Sequence, residues 1–281
     1  MRLSASIPSS DPETKIAAVK GLGMTATDLG VGSSGPLPEP VPVRQLFHEQ
    51  GMMLAQVSCY TNLECAPGPS RGAQMGRLQE ALAFAGAAGA RCVVSGCGHM
   101  DPNRADEVFV AHPDNWTDAA MDRLAESCGE AAYWAQMAGT VFCVEPWVLL
   151  TLDSPRRLAD LVRRVDSAAF GILFDPVNLM NLDRYFDSGR MIRETFDLLG
   201  DHVRIVHAKD TRLIESSFTF HLSEALPGTG RLDYDALLRC MDDLGDPETP
   251  LHIEHLGSVE DVTSARDFIR STASRLGIRI T

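Results

Sequence analysis

Short apolar runs alternate with longer amphipathic segments along almost the whole chain of 281 residues. Short runs bounded by turn residues are typical of buried β-strands, whereas apolar residues at helical spacing predict amphipathic helices. The eight predicted strands lie at residues 3–7, 24–29, 53–58, 91–96, 140–145, 170–175, 203–208 and 250–255. The predicted helices begin with one that Ser10 and Asp11 cap and that ends near Gly21, and continue at 71–88, 117–137, 156–164, 187–199, 234–244 and 258–276.

Eight strand-then-helix units in a chain of this length favour an α/β fold, a closed (β/α)8 barrel in which eight parallel strands form the wall. A doubly wound open sheet uses the same alternation and remains the alternative, because local patterns do not reveal strand order. No shift in composition marks a boundary, so residues 1–281 are predicted to form a single domain. The long segments 98–116 and 209–231 follow predicted strands and are expected to be loops at the functional face of the barrel.

The charge and composition of the chain disfavour several kinds of partner. A net charge of −13 repels nucleic-acid phosphates. The seven cysteines form no C-x-x-C pair and are expected to be reduced. No apolar stretch approaches the roughly 18 residues of a membrane span, and the first residues lack the apolar core of a signal peptide. These features predict a cytoplasmic protein without nucleic-acid or membrane partners.

Polar side chains that can bind a metal lie at the ends of four predicted strands. These residues are Glu145, Asp175, His207 and Glu254. Because the carboxyl ends of parallel strands meet at one rim of a sheet, we expect the four side chains to lie close together. Two glutamates, an aspartate and a histidine are a suitable ligand set for a divalent cation such as Mn²⁺, Mg²⁺ or Co²⁺. The joint pattern therefore predicts one shared metal site.

Each of these residues also has an ordinary structural interpretation. A glutamate at a strand end can cap the next helix, and an aspartate before proline can form an Asx turn, as Asp175 would. A single histidine on an apolar strand can be a core residue with one hydrogen bond. Glu254 can pair with His252 or His255 instead of a metal. Only the joint occurrence of all four favours the metal site.

Five motifs resemble the successive motifs of the xylose isomerase-like barrel superfamily, especially its sugar phosphate isomerase/epimerase branch. They are Val144-Glu145-Pro146-Trp147, Phe174-Asp175-Pro176-Val177-Asn178, Val206-His207-Ala208-Lys209-Asp210, Pro227-Gly228-Thr229-Gly230 and Ile253-Glu254. The resemblance implies a TIM barrel that binds one divalent cation, Mn²⁺ before Mg²⁺ or Co²⁺, through the four residues above. It also implies that Glu145 and Glu254 are catalytic and lie on opposite sides of a bound sugar.

Other residues are candidates for substrate contacts. Trp147 can stack on a sugar or pack in the core; it stands where true xylose isomerases have a lysine. Asn178 stands where many relatives have a histidine. Lys209 and Arg212 can contact a phosphate or hydroxyl group or remain solvated. His99 follows a glycine-rich turn and can donate a hydrogen bond to substrate or remain a loop residue.

The leading functional hypothesis is a metal-dependent isomerase or epimerase that acts on a small keto sugar or polyol by proton transfer next to a carbonyl. The runner-up is a lyase acting on a 3-keto sugar, similar to inosose dehydratases or to the barrel subunit of C-glycoside deglycosidases. An endonuclease and a non-catalytic sugar-binding barrel are the remaining alternatives, and the acidic charge disfavours the endonuclease. A homo-oligomer or a partner subunit that completes the mouth is left open.

Overall fold

The computed structural model describes residues 1–9, 11–216 and 218–281 and shows eight parallel strands closed into a barrel. The strands are β1 (Arg2–Ala5), β2 (Ala26–Gly30), β3 (Met53–Ser58), β4 (Val93–Gly96), β5 (Phe142–Glu145), β6 (Phe170–Phe174), β7 (Val203–Ala208) and β10 (Pro250–Ile253), and a separate hairpin contains β8 (Asp210–Leu213) and β9 (Leu222–Ala225). The order around the barrel is β1-β10-β7-β6-β5-β4-β3-β2. This closure confirms the predicted (β/α)8 fold and rules out the open sheet.

Helices connect the strands on the outside of the barrel. They are α1 (Pro12–Gly21), α2 (Pro40–Glu49), α3 (Pro69–Ala88), α4 (Asp118–Ala138), α5 (Pro155–Val165), α6 (Leu182–Phe186), α7 (Ser188–Leu199), α8 (Tyr234–Asp243) and α9 (Val259–Leu276). At the start of α1 the cap is Asp11, whose carboxylate accepts a hydrogen bond from the Thr14 amide; the predicted cap residue Ser10 lies outside the described residues. The short helix α6 and the helix α2 were not predicted. Helix α2 follows a proline-rich stretch typical of a loop, yet proline is also favourable in the first turn of a helix.

The segment 209–231, predicted to be a loop at the functional face, contains the antiparallel hairpin of β8 and β9. Asp210 anchors the base of this hairpin. One oxygen of its carboxylate accepts hydrogen bonds from the amides of Gly228 (3.0 Å) and Gly230 (2.9 Å), and the other accepts one from Leu232 (2.9 Å). A Cβ atom on Gly230 would lie 2.3 Å from Asp210 Oδ1, so only glycine fits this turn. The glycine-containing motif therefore holds the hairpin at the barrel mouth.

The apolar core has two parts. A small cluster from the strands includes Ala55, Val94, Leu173 and Ile205, and a larger one lies mainly between the strands and the surrounding helices. The seven cysteines are unpaired, and all but Cys240 are buried, as expected for reduced core residues. Among the described residues, no helix is both long and apolar enough to cross a membrane.

Candidate metal centre

Glu145, Asp175, His207 and Glu254 meet at the mouth of the barrel, at or next to the carboxyl ends of β5, β6, β7 and β10. Each residue offers one donor atom, and the four donor atoms lie within 4.8 Å of one another. All four residues are buried. Because β6 and β7 separate β5 from β10 in the barrel, the two glutamates flank the aspartate and the histidine. The fold thus brings together the four residues that the sequence singled out.

The donor atoms themselves fit a cation. Asp175 Oδ2, His207 Nδ1 and Glu254 Oε1 are buried and have no hydrogen bond of acceptable geometry within residues 1–9, 11–216 and 218–281. Charged neighbours lie 2.8–2.9 Å from these atoms, Lys209 beside the two carboxylates and Glu254 beside His207. A divalent ion would bind all three atoms at once. Asp175 also forms the predicted Asx turn, because its Oδ1 accepts from the amides of Val177 (2.8 Å) and Asn178 (3.2 Å). The turn leaves Oδ2 for the cluster.

Gln56 orients the His207 ring. His207 Nε2 lies 3.0 Å from Gln56 Oε1, and the Gln56 amide donates to Ser58 Oγ at 3.1 Å. If Nε2 carries a proton and donates it to Gln56, Nδ1 is left for the cluster. Such a hydrogen bond from the other ring nitrogen is the usual support of a metal-binding histidine. Burial lowers the pKa of His207, but neighbouring carboxylates led by Glu254 outweigh it and raise the pKa to about 9. A metal ion at this place would therefore displace a proton from Nδ1.

Both oxygens of the Glu145 carboxylate accept hydrogen bonds. Asn178 Nδ2 donates to Oε1 at 2.8 Å, and the Tyr60 hydroxyl donates to Oε2 at 2.7 Å. The Oε1 atom also lies 3.7 Å from His207 Nδ1. Burial raises the pKa of Glu145 above its ordinary value, and Glu254 adds to that rise while His207 opposes it. These contacts fix the direction of the carboxylate.

Lys209 places a positive charge inside the cluster. Its Nζ lies 2.9 Å from Asp175 Oδ2, 2.8 Å from Glu254 Oε1 and 3.3 Å from Glu224 Oε1. Burial lowers the pKa of Lys209, but Asp175 and Glu254 outweigh this effect and raise it. For Glu254 burial acts in the opposite direction and raises the pKa, but His207 and Lys209 together hold it well below its ordinary value. Lys209 and Glu254 therefore form an ion pair in the site.

A second group of side chains overlaps the first. His207, His252 and Glu254 also have donor atoms within 4.8 Å of one another. His252 Nδ1 hydrogen-bonds with Ser4 Oγ at 2.7 Å, which occupies one of its two ring nitrogens. The other nitrogen lies 4.0 Å from Asp28 Oδ1. The first group contains three carboxylates, whereas the group with His252 contains only one. The first group is therefore the better match for a hard cation.

A cavity of about 280 Å³ opens beside the ligands. Its lining residues are Tyr60, Phe109, Glu145, Trp147, Asn178, Lys209, Glu224 and His255. Three of them form an aromatic wall: the ring of Phe109 lies 5.4 Å from the rings of both Tyr60 and Trp147. A Cβ atom on Gly96 would lie 2.9 Å from Phe109, so this glycine makes room for the wall. The cavity is thus lined by charged residues and by aromatic rings.

The structure separates the predicted substrate residues into two groups. Trp147, Asn178 and Lys209 line the cavity, whereas His99 and Arg212 do not. His99 is 1% exposed, its Nε2 lies 3.0 Å from the carbonyl of Glu107, and its Nδ1 accepts from the amide of Asp101. It therefore holds the loop after β4 in place. Arg212 is exposed on β8 of the hairpin.

Sequence reasoning did not identify Tyr60, Phe109, Glu224 or Gln56 as parts of the site. Gln56 had a usable signal, because it is a polar residue within the apolar run of β3. Tyr60 and Phe109 lie in loops and carry no local pattern that distinguishes them from packing residues. Glu224 reaches the cavity only because the hairpin folds back over the mouth, where it also pairs with His255 at 3.0 Å.

Comparison with known proteins supports the fold. The family model described as xylose isomerase-like TIM barrel matches residues 16–272. No curated protein matches the chain by sequence. D-psicose 3-epimerase from Clostridium cellulolyticum H10, solved with D-tagatose, is 16% identical, with 97% of this chain and 99% of that chain covered and a TM-score of 0.70.

Two further solved structures of this fold are described with metals. A xylose isomerase-like TIM barrel protein from Mycobacterium smegmatis, in complex with magnesium, is 16% identical, with 94% of this chain and 88% of that chain covered and a TM-score of 0.67. The IOLI protein with a bound zinc atom is 13% identical, with 98% of this chain and 99% of that chain covered and a TM-score of 0.72. At these identities the likeness concerns the fold. Together with the family match over most of its length, it shows that this chain belongs to the xylose isomerase-like TIM barrel family.

Proposed function

We propose that the protein is a divalent-metal-dependent isomerase or epimerase that moves a proton at a carbon next to the carbonyl of a small keto sugar or polyol. The observation that carries the proposal is the convergence of four donor atoms within 4.8 Å, beside a cavity of about 280 Å³. The epimerase and the magnesium- and zinc-containing proteins of the same fold support this class of reaction and cofactor. Mn²⁺ is the first candidate, with Mg²⁺ and Co²⁺ as alternatives.

The site residues have complementary roles in this reaction. A divalent cation held by Glu145, Asp175, His207 and Glu254 would supply Lewis-acid polarisation of a substrate carbonyl. The two glutamates flank the other ligands, so one carboxylate can accept the proton from carbon while the other returns a proton. Tyr60 and Asn178 keep Glu145 in one orientation through hydrogen bonds of 2.7 and 2.8 Å.

The aromatic wall suits the apolar face of a sugar. Tyr60, Phe109 and Trp147 line the cavity together with the charged residues. Aromatic rings bury large areas and keep water away from the groups they cover. A substrate held between this wall and the ligands would have its oxygens directed towards the charged side.

Solvent exchange tests the proposal directly. Protein stripped of metal by a chelator and reloaded with Mn²⁺ is incubated in D₂O with a panel of keto sugars, and deuterium on carbon is measured by NMR. We expect incorporation next to the carbonyl of at least one sugar, dependent on Mn²⁺ and lost in E145Q and E254Q. The control is E126Q, which changes an exposed glutamate on α4.

The outcomes separate the two parts of the proposal. A protein that binds Mn²⁺ but exchanges no carbon-bound hydrogen in any sugar contradicts the proton-transfer chemistry. Failure to bind any of the three cations contradicts the metal site. Exchange that persists in E254Q would remove the assigned role of that carboxylate.

The lyase remains the second candidate because the aromatic wall could also hold an apolar leaving group. In that reaction the same carboxylate removes the proton beside a 3-keto group, and the bond to the substituent at the β-carbon then breaks with its electron pair. The new carbon–carbon double bond distinguishes this outcome from isomerisation. Release of water or an aglycone from a 3-keto glycoside, measured by chromatography, would favour the lyase.

A further inference from the structure

The ammonium group of Lys209 lies among carboxylates rather than at the edge of the site. Its Nζ is 2.9 Å from Asp175 Oδ2 and 2.8 Å from Glu254 Oε1, and both oxygens are donor atoms of the cluster. The Lys209 side chain is only 3% exposed. Water therefore screens its charge weakly from its neighbours.

The contacts of Lys209 with the two carboxylates are ion pairs. Asp175 Oδ2 and Glu254 Oε1 have no hydrogen bond of acceptable geometry among the residues described, although Nζ lies close to both. The oxygen of Glu254 also lies 2.8 Å from His207 Nδ1, which is another buried donor atom of the cluster. The ammonium therefore sits directly beside the atoms that would hold a cation.

The charge balance of the site depends on Lys209. The ligands Glu145, Asp175 and Glu254 carry three negative charges, and a divalent cation offsets two of them. The ammonium of Lys209 offsets the third. A fixed positive charge this close to a buried cation position also repels the cation, by an energy equivalent to roughly tenfold or more in affinity.

Glu224 is a third carboxylate that contacts the ammonium of Lys209. Glu224 Oε1 on the hairpin lies 3.3 Å from Nζ, and Asn178 Oδ1 lies 3.5 Å from it. The side chain of Glu224 is 46% exposed, so it is partly in solvent and can be changed without disturbing the core. Glu224 therefore compensates part of the positive charge of Lys209 from the hairpin side.

We propose that Lys209 is a built-in counter-cation, which holds Asp175 and Glu254 together and keeps the affinity for a divalent cation below that of the four ligands alone. This inference rests on the proposed function, because it requires that these ligands bind such a cation. It assigns Lys209 a positioning role that sets how readily the metal exchanges.

The test measures Mn²⁺ affinity by calorimetry on metal-stripped protein. We expect K209M to bind Mn²⁺ about tenfold more tightly than the wild type, because the repulsion is removed. Metal-stripped K209M should melt at a lower temperature than metal-stripped wild type, and Mn²⁺ should raise its Tm by more. The matched control is K15M, since Lys15 is also buried and paired with a carboxylate, at 3.0 Å from Asp28, but contacts none of the four ligands. Its Mn²⁺ affinity should be that of the wild type.

A second variant tests the same inference through a change that should weaken Mn²⁺ binding. E224Q removes a negative charge beside Lys209, so less of the ammonium charge is compensated and Mn²⁺ binding should weaken. In the K209M background the same change should have a much smaller effect, because no ammonium is left to be compensated. If K209M does not fold, K209Q replaces it, since its amide can still donate hydrogen bonds to the carboxylates.

The possible results distinguish this inference from the proposed function. Unchanged or weaker Mn²⁺ binding by the Lys209 variants overturns the counter-cation role and leaves the metal-dependent reaction standing. Equal effects of E224Q with and without Lys209 also overturn it. A wild-type protein that binds no divalent cation overturns both.

Discussion

The Tyr60 hydroxyl donates a 2.7 Å hydrogen bond to Glu145 Oε2, which links the loop after β3 to a strand two positions away in the barrel. Asn178 donates to the other oxygen at 2.8 Å. A hydrogen bond to an ionised carboxylate is among the stronger ones in proteins. This pair of donors therefore determines how Glu145 faces the cluster.

Replacing Tyr60 by phenylalanine should loosen Glu145. We expect Y60F to keep its fold and to lose about 10- to 100-fold in Mn²⁺ affinity or in deuterium exchange, as is usual when a residue that supports a metal ligand is changed. Calorimetry and NMR measure the two quantities. Y133F is the control, because Tyr133 is exposed on α4. Wild-type values for both quantities in Y60F would show that the hydrogen bond does not orient Glu145.

Gln56 should support His207 in the same manner. The Q56L variant loses the acceptor that lies 3.0 Å from His207 Nε2, so the ring can rotate and Nε2 is left buried without a partner. We expect Mn²⁺ affinity to fall by about 10- to 100-fold. The Mn²⁺ titration is compared with that of Q136L, which alters an exposed residue of α4. Equal affinities for the two variants would contradict the role of Gln56.

Glu64 should make stability depend on pH. The side chain is 0% exposed, and neither carboxylate oxygen has a hydrogen bond within the part of the chain that the structure describes. Burial raises its pKa from 4.5 to about 8, and Thr151, Arg123 and Arg157 offset this only in part. Between these two pH values the folded protein holds a proton that the unfolded chain has released. The contribution of the protonated carboxyl is therefore complete below pH 4.5 and is lost as the pH rises to about 8.

The E64Q variant removes this titration. The free energy of unfolding of E64Q minus that of the wild type should increase by about 3 kcal/mol between pH 5 and pH 8. Urea unfolding at both pH values measures the difference, and E126Q serves as the exposed control. Parallel pH profiles for E64Q and the wild type would show that Glu64 does not hold its proton.

Gly230 should be intolerant of any side chain. In G230A the new Cβ atom would lie 2.3 Å from Asp210 Oδ1 and 2.4 Å from the carbonyl of Thr211, so the hairpin anchor must shift. We expect a loss of about 1–3 kcal/mol in unfolding free energy. Gly76 in α3 has nothing within 4 Å of its added Cβ, so G76A should instead stabilise the protein by about 0.5–1 kcal/mol. Thermal unfolding distinguishes the two, and a G230A protein as stable as the wild type would contradict the steric argument.

The strands and the meeting of the four candidate ligands were predictable because both depend on local order along the chain. Period and length of the apolar runs located all eight barrel strands. The polar residues at the ends of four such runs had to meet once the strands were parallel, since every carboxyl end then lies at one rim. Glu145, Asp175, His207 and Glu254 follow from this rule.

Long-range contacts decided the rest of the site. The ring of His99 is held in its loop by Asn62, which is 37 residues away, and by the carbonyl of Glu107 in the same loop. Neither the aromatic wall around Phe109 nor the contact of Glu224 with Lys209 has a periodic signal in the sequence, because each depends on how a loop folds back over the mouth.

The amino-acid order by itself thus determined the barrel and the rim that carries the four ligands, because hydrophobic burial and parallel pairing act on repeated local patterns. Only the tertiary structure decided which side chains surround those ligands, where the charge of Lys209 lies and which residues form the cavity. Those contacts join segments far apart in the chain, and their geometry is set by packing and by hydrogen bonds such as those of Asp210.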